Sequence, residues 1–150
     1  MNDFEKNLND VLVDTFNYIL KYEEDSLKTI LNIPITITEA HMIEAVAKQE
    51  KGEATVSKIA IHLGIAMPTV TVAVKKLERK GFIKKSPCEK DARRAIISLT
   101  DLGRKIDKVH RLFHEKMVRN ISGQFLDSEK DVLLRAIEKL SYFFREKVDI

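Results

Sequence analysis

Residues 55–85 read TVSKIAIHLGIAMPTVTVAVKKLERKGFIKK, and this stretch determines the fold class. Its first part predicts a short helix over residues 56–63, with Thr55 as a favourable N-cap and Gly64 as the left-handed residue that commonly ends a helix. A second helix is predicted over residues 67–80. Two short helices joined by a turn that contains glycine are typical of a helix-turn-helix, although an ordinary helical hairpin has a similar spacing.

The second helix has the pattern of a DNA recognition helix. Val70, Val74 and Leu77 recur at helical spacing and predict a buried face, which leaves the other side chains exposed. The first residues of such a helix enter the major groove, where threonine can hydrogen-bond bases or contact thymine methyl groups, and later cations contact phosphates. The predicted DNA-contacting residues of this helix are Met67, Pro68, Thr69, Thr71, Val72, Lys75, Lys76 and Arg79.

A basic β-hairpin is predicted directly after this helix. Strands over residues 82–85 and 95–99 flank a polar tip that includes the sequence DARR at 91–94. An arginine at a hairpin tip can reach into a narrow minor groove, and an aspartate two residues earlier can hold its guanidinium group. The predicted DNA contacts in the hairpin are Lys90, Arg93 and Arg94.

The charge distribution agrees with DNA binding. Nine basic and three acidic residues lie between Lys75 and Arg94, a net charge of +6, whereas the whole chain carries only +3. A basic block in an otherwise acidic chain is typical of phosphate binding. A protein-interaction domain whose basic strip binds an acidic partner is an alternative that fits the same charges.

Long helices are predicted on both sides of this region. Apolar residues at helical spacing indicate a helix from about Phe4 to Leu31, one over 39–49 capped by Thr38, one from Thr100 to Ile121, and a last one capped by Ser128. The predicted fold class is therefore mainly α with a small β-hairpin. A winged helix-turn-helix over residues 36–99 lies between helical regions over 1–35 and 100–150.

Composition narrows the class of protein. With 150 residues, 44% hydrophobic and 33% charged, the chain fits one soluble globular fold. No apolar run is long enough to span a bilayer, no signal peptide is apparent, and the single Cys88 excludes an internal disulfide. We therefore expect a cytoplasmic protein with no membrane contact. We also expect no enzymatic activity, since the chain lacks HExxH, P-loop and nucleophile-elbow motifs.

Three segments in fixed order suggest a family. LERKG at 77–81, DARR at 91–94 and LTDLG at 99–103 together resemble the MarR family of winged-helix transcriptional regulators. The resemblance implies a homodimer, joined by the N- and C-terminal helices and bound to a pseudo-palindromic site on double-stranded DNA. It also implies a repressor in which Arg93 is the minor-groove residue of the wing.

Two positions depart from the family pattern. Ala66 stands where the family usually has an N-capping serine, and Val72 stands where an arginine often follows the Thr-Val-Thr run. We expect base contacts near these positions to differ, with Thr71 and Val72 favouring A·T-rich sites.

Within that family the chain most resembles the FabT-type repressors of fatty-acid synthesis. The likeness rests on TVT at 69–71, EAHMI at 39–43 and HRLFHEKMV at 110–118. It implies an acyl-loaded acyl carrier protein, or a small hydrophobic ligand, as co-repressor. Carrier protein is acidic and needs a basic surface. The candidates on the fifth helix are Lys105, Lys108, Arg111, Lys116 and Arg119.

The histidines allow a second interpretation. His110 and His114 are four residues apart, so they share a helix face and can reach one metal ion. Zinc-responsive MarR members have a similar arrangement of a glutamate, a histidine and a paired HxxxH, and either Glu23 or Glu24 can supply the carboxylate. The candidate ligand pocket is His41, His110 and His114, with no metal expected. The alternative is a zinc site formed by Glu24, His41, His110 and His114.

Overall fold

The structure is a computed structural model that describes residues 1–89 and 91–148, and of Ala92 and Arg93 only the backbone. Six α-helices and a three-stranded antiparallel sheet of order β1-β3-β2 make up the described residues. The elements are α1 Asp3–Leu31, α2 Ile37–Ala47, β1 Glu53–Ala54, α3 Val56–Leu63, α4 Met67–Arg79, β2 Ile83–Cys88, β3 Asp91–Leu99, α5 Asp101–Ser122 and α6 Asp127–Lys147, with a 3-10 turn at Glu50–Gly52. The predicted fold class, mainly α with a small β-hairpin, is confirmed.

The helix-turn-helix forms as its local sequence predicts. The hydroxyl of Thr55 accepts the backbone N–H of Lys58 at 3.3 Å and caps α3, which Gly64 ends with a φ of 63°. Ile59 of α3 and Val70 of α4 are fully buried, so the two helices pack through their apolar faces. Local capping and helical spacing therefore determine this part of the fold.

The sheet differs from the predicted hairpin in two ways. Its strands are longer, because β2 continues to Cys88 and β3 begins at Asp91. Pro87 is tolerated there since β2 is an edge strand, where a missing N–H need not break a ladder. In addition, the two-residue strand β1 pairs with β3, with Ala54 opposite Ile97.

A close contact joins the hairpin to α5. The hydroxyl of Thr100 accepts the N–H of Gly103 at 3.1 Å and donates to the carbonyl of Gly81 at 2.6 Å. A Cβ at Gly103 would lie 2.0 Å from the carbonyl oxygen of Phe82, so only glycine fits at this position. In the LTDLG segment, Thr100 thus caps α5 and Gly103 allows the helix to pack closely on Phe82.

Two predicted helix starts are wrong. Helix α2 is capped by Thr36 and not by Thr38, because Thr36 and Glu39 form a reciprocal capping box with hydrogen bonds of 3.2 and 3.0 Å. Helix α6 begins at Asp127, so Ser128 lies inside it and does not cap it. The side chain of Glu129 accepts the N–H of Leu126, the residue before the helix.

The core lies in the centre of the chain, and the long helices leave much apolar surface uncovered. Buried apolar residues come from α2, α3, α4, the sheet and the first half of α5, together with the last turns of α1. Helix α6 has no buried residue in the described chain. Exposed apolar side chains on α1 and α6 include Phe4, Val11, Phe16, Val132, Ile137 and Phe144.

No single helix among the described residues is long and apolar enough to cross a bilayer. Helices α3 and α4 pass that test only as a pair, and they are bent by 112° at their junction.

Candidate nucleic-acid interface and metal centre

Helix α4 presents the predicted recognition residues on its open side. Val70, Val74 and Leu77 are at most 1% exposed and hold the opposite side against the core. The exposed residues of this helix are the acidic Glu78 and the eight predicted positions, Met67, Pro68, Thr69, Thr71, Val72, Lys75, Lys76 and Arg79. All the α4 positions predicted for DNA contact are therefore accessible, and their roles in base and phosphate contacts stay predictions.

The first turn of α4 lacks a side-chain cap for its backbone N–H groups. Ala66 occupies the N-cap position and gives no side-chain hydrogen bond to the first turn. The hydroxyl of Thr71 donates to the carbonyl of Met67 at 3.0 Å, which leaves its oxygen lone pairs as hydrogen-bond acceptors. Thr71 can therefore accept from a base amino group while its methyl group stays exposed.

Several cations near α4 are already paired with acids. Lys76 Nζ lies 3.1 Å from Glu39 Oε1, and Lys80 Nζ lies 2.8 Å from Glu39 Oε2. Burial acts to raise the pKa of Glu39, but hydrogen bonds from Lys80, the Thr36 N–H and Lys76 outweigh it and hold the pKa below the ordinary value. The recognition helix is thus tied to the start of α2 by a charged carboxylate.

The hairpin begins beside the second half of α4. Lys85 of β2 pairs with Glu78 of α4 at 2.9 Å. Arg94 is exposed, and its Nε lies 3.8 Å from Asp91 Oδ2. The predictions for Lys90 and for the side chain of Arg93 lie outside the described residues.

Three histidines converge on one buried carboxylate between α1, α2 and α5. Nε2 of His114 lies 2.8 Å from Glu23 Oε1, and Nε2 of His41 lies 3.5 Å from the same oxygen. His110 contacts that oxygen as well, and its Nε2 is 3.1 Å from the Nε2 of His114. The fold thus brings His114 to Glu23, 91 residues earlier in the sequence, and the ligand atoms of Glu23, His41 and His110 all lie within 4.8 Å of one another.

The cluster is buried on one side and open on the other. Glu23 is 2% exposed and His110 is fully buried, whereas the side chains of His41 and His114 are 38% and 39% exposed. Nδ1 of His110 has no hydrogen-bond partner among the described residues, and Glu44 Oε2 is the nearby carboxylate at 4.0 Å. Small ions can therefore enter past His41 and His114.

The predicted ligand Glu24 does not belong to this cluster. Glu24 Oε1 pairs with Lys28 at 2.5 Å, and its other oxygen accepts the N–H of Ile37 at 2.9 Å. These two hydrogen bonds hold the pKa of Glu24 below its usual range. The carboxylate that faces the histidines is Glu23, and helical spacing indicates why: it shares a buried stripe with Leu27 and Leu31.

Glu44 lies beside the cluster and was not among the residues predicted from the sequence. Burial acts to raise its pKa, but Lys48 at 2.6 Å, with the charges of His110 and His114, holds it below the ordinary value. Glu44 lies one turn after His41 on α2, and that spacing is the signal that could have identified it. A metal-binding histidine usually donates its second ring N–H to such a carboxylate.

The donor set fits a zinc ion. Tetrahedral zinc with bonds of about 2.0–2.1 Å to nitrogen and oxygen requires ligand atoms about 3.3 Å apart. Three of the separations in the cluster, 2.8, 3.1 and 3.5 Å, lie around that value, and the ligand atoms of Glu23, His41 and His110 all lie within 4.8 Å of one another. Imidazole and carboxylate are ordinary zinc ligands, and a zinc ion would supply the positive charge that gathers these four donors. Four protein ligands would fill a tetrahedral site and leave no open position.

The basic surface predicted on α5 is accessible. Its five candidate residues are all exposed, namely Lys105, Lys108, Arg111, Lys116 and Arg119. Arg111 is paired with Asp107 at 3.1 Å, so it is held along the helix. These side chains can meet an acidic partner, which stays a prediction.

Together, the exposed α4, the short α3 that supports it and the adjoining basic hairpin define a winged helix-turn-helix DNA-binding protein. Residues 35–95 match the family model described as "MarR family". The transcriptional regulator AdcR is also 30% identical over 72% of this chain, so the chain belongs to the MarR family of transcriptional regulators.

Similar proteins support this assignment over most of the chain. The transcriptional regulator ZitR of Lactococcus lactis subsp. cremoris is 29% identical over 135 residues, which cover 85% of this chain and 91% of ZitR. The transcriptional regulator AdcR of Streptococcus pneumoniae is 30% identical over 111 residues, 72% of this chain and 74% of AdcR. The crystal structure of Streptococcus pneumoniae FabT in complex with DNA is similar with a TM-score of 0.88 and 31% identity, covering 95% of this chain and 98% of FabT.

Proposed function

We propose that this regulator senses a transition-metal ion, zinc by its ligand chemistry, and that metal occupancy controls DNA binding by a homodimer. The convergence of three histidine Nε2 atoms on the buried Glu23 oxygen carries the proposal. Buried polar groups are normally satisfied by partners, and a metal ion would bind the buried Glu23 and His110 together with the half-exposed His41 and His114. The ligands would be Glu23, His41, His110 and His114.

The ligand types favour zinc over the common hard cations. Calcium and magnesium are bound mostly by oxygen, whereas three of the four donors here are imidazole nitrogens. Imidazole also suits copper and nickel, so selectivity must come from the tetrahedral arrangement and from metal supply. Zinc is the ion that most often takes such a set with no open position.

The position of the cluster gives metal binding a route to DNA binding. Glu23 lies on α1 and His110 and His114 lie on α5, which belong to the helical flanks, while His41 lies on α2, which belongs to the winged region. A metal ion would therefore tie the winged region to the flanks. It can shift the DNA-binding equilibrium only if it binds one arrangement of these regions more tightly than another.

A homodimer accounts for the uncovered apolar helices. The exposed apolar side chains of α1 and α6 have no partner in the described chain, and contiguous apolar surface of this kind marks protein interfaces. A symmetric dimer would cover the same helices of both protomers and would present two α4 helices to a pseudo-palindromic site. Sedimentation equilibrium should give twice the chain mass of 17.2 kDa.

The test combines metal binding with DNA binding. The protein, stripped with a chelator, is titrated with zinc and then assayed on a DNA site selected from a random pool, with and without zinc. We expect one zinc per protomer and at least a fivefold change in DNA affinity, since allosteric couplings are typically about 1–3 kcal/mol. The His110→Ala variant should keep the metal-free affinity and lose the zinc response. Zinc that binds without any change in DNA affinity would contradict the proposal.

A second candidate function is repression of fatty-acid synthesis with an acyl-loaded carrier protein. The likeness to FabT over nearly the whole chain and the exposed cations of α5 favour it. In the same DNA-binding assay, acyl carrier protein loaded with a long acyl chain should then change affinity in the absence of zinc. Lys108→Glu should weaken that effect and leave the zinc response unchanged.

A further inference from the structure

A small charge cluster connects α2 to the recognition helix. Glu39 is 6% exposed and sits in the first turn of α2, where its Oε2 accepts the N–H of Thr36 and the ammonium of Lys80. Its other oxygen faces Lys76 of α4 at 3.1 Å. One buried carboxylate therefore meets two cations of the α4 region, and one of these was predicted to contact a DNA phosphate.

The two lysines are held to different degrees. Nζ of Lys80 also donates to the carbonyl of Pro34 at 3.0 Å and lies 5.6 Å from the ring centre of Phe82, so several contacts restrain it. Among the described residues, Lys76 forms one ion pair, with Glu39, and its side chain is 52% exposed. Lys80 is thus held in place by several contacts, whereas Lys76 can move away from Glu39 with the loss of one ion pair.

The carboxylate resembles the group that Lys76 would meet on DNA. Carboxylate and phosphate oxygens both accept charge-assisted hydrogen bonds from an ammonium group. We propose that Glu39 competes with the DNA backbone for Lys76 and so lowers the phosphate affinity of the recognition helix. A weaker sequence-independent contribution leaves a larger share of the affinity to base contacts, so Glu39 acts as a specificity-determining residue.

The proposal gives a quantitative expectation for salt dependence. A lysine that neutralises a phosphate contributes about 0.9 to the slope of log affinity against log salt, or about 1.8 for the two protomers of a dimer. Lys76 held by Glu39 contributes less than half of this. When the carboxylate is removed, Lys76 contributes the full amount.

A double-mutant cycle tests this on the full-length protein with chelator present, so that the result does not depend on the metal site. Glu39→Gln keeps the capping box, because glutamine can also accept the Thr36 N–H, and it removes the charge. We expect it to raise affinity for random-sequence DNA about threefold to tenfold. Lys76→Ala should then flatten the salt slope by less than half as much in the wild-type background as in the Glu39→Gln background.

Lys75→Ala serves as the matched control, since Lys75 is the neighbouring exposed cation and has no contact with Glu39. It should have the same effect in both backgrounds, as expected for sites that do not interact. Equal slope changes for Lys76→Ala in both backgrounds would overturn the proposal. If Glu39→Gln proves poorly folded by circular dichroism, the wild-type background alone decides. A slope loss near 0.9 per protomer for Lys76→Ala overturns the proposal, and a loss below half of that supports it.

Discussion

The histidine cluster and the α4 surface handle charge in opposite ways. At the cluster, Glu23 and His110 are almost completely buried and their donors converge on one point. On α4, Lys75 and Arg79 are exposed and spread along the helix. Buried polar groups cost several kcal/mol unless they are satisfied, whereas exposed cations cost little. Burial therefore makes the cluster the more specific indication of a ligand, while the surface indicates DNA mainly through the fold around it.

The largest effect is expected from two neighbouring carboxylates of α1. Glu23→Gln removes the charged oxygen shared by three histidines and should lower zinc affinity by about 100-fold or more, since even the loss of an outer partner costs 10–100-fold. Glu24→Gln is the control, because Glu24 faces Lys28 and the Ile37 N–H. Its zinc affinity should stay within about twofold in a competition assay with a chromophoric chelator. Similar losses for the two variants would remove the distinction between them.

The sequence determined some elements to the residue and others only roughly. Helix α3 was predicted with its observed bounds, Val56–Leu63, because Thr55 and Gly64 specify its ends locally. Strand β1 was missed, because two residues carry no periodicity and become a strand only by pairing with β3, more than 40 residues later. For the zinc site, Glu24 was the predicted carboxylate ligand. The buried face of α1 instead carries Glu23, in line with Leu27 and Leu31.

The histidine cluster also shows that local spacing predicts only part of a site. The spacing of His110 and His114 placed them on one face of a helix, which is local information. The approach of His41 from α2 was expected only by resemblance to the family, and the role of Glu44 beside His110 depends on how α2 packs on α5. The step of one turn from His41 to Glu44 indicates a shared helix face, but local spacing does not say which other helix that face contacts.

The second-largest effect is expected at the contact between α5 and the β-hairpin. Gly103 lies in the first turn of α5, the helix that carries His110, and packs against Phe82, directly before β2, and against Leu99 at the end of β3. Gly103→Ala places a methyl group against the Phe82 carbonyl and should lower the free energy of unfolding by about 3 kcal/mol, the upper end for overpacking. Gly123→Ala is the control, because its Cβ would meet nothing closer than 3.5 Å, and it should change stability by less than about 0.5 kcal/mol. Equal urea denaturation midpoints for the two variants would contradict the close contact.

A smaller effect is expected at the tip of the β-hairpin, where Arg93 is the predicted groove contact. Arg93→Ala should weaken binding to the selected DNA site by about 1–3 kcal/mol, as for a good groove contact. The variant should bind random DNA with a smaller loss, because a groove contact adds to specificity and not only to charge. Lys84→Ala, which removes an exposed cation from the base of the same hairpin, is the charge-matched control. Indistinguishable fluorescence-anisotropy curves for these two variants would argue against a groove contact.

The smallest effect is expected at the first turn of α4, where the exposed surface departs from the family pattern. Ala66 gives no side-chain cap, and Pro68 has no N–H, so the N–H of Thr69 is the group that a capping oxygen would meet. Ala66→Ser should therefore raise the free energy of unfolding by about 1 kcal/mol, or Tm by about 2–4 °C for a chain of this size. Ala73→Ser makes the same change inside the helix, where serine is less favourable than alanine, and should lower Tm slightly. A fall in Tm for both would mean that the α4 N-terminus is already satisfied and that alanine is the better residue there.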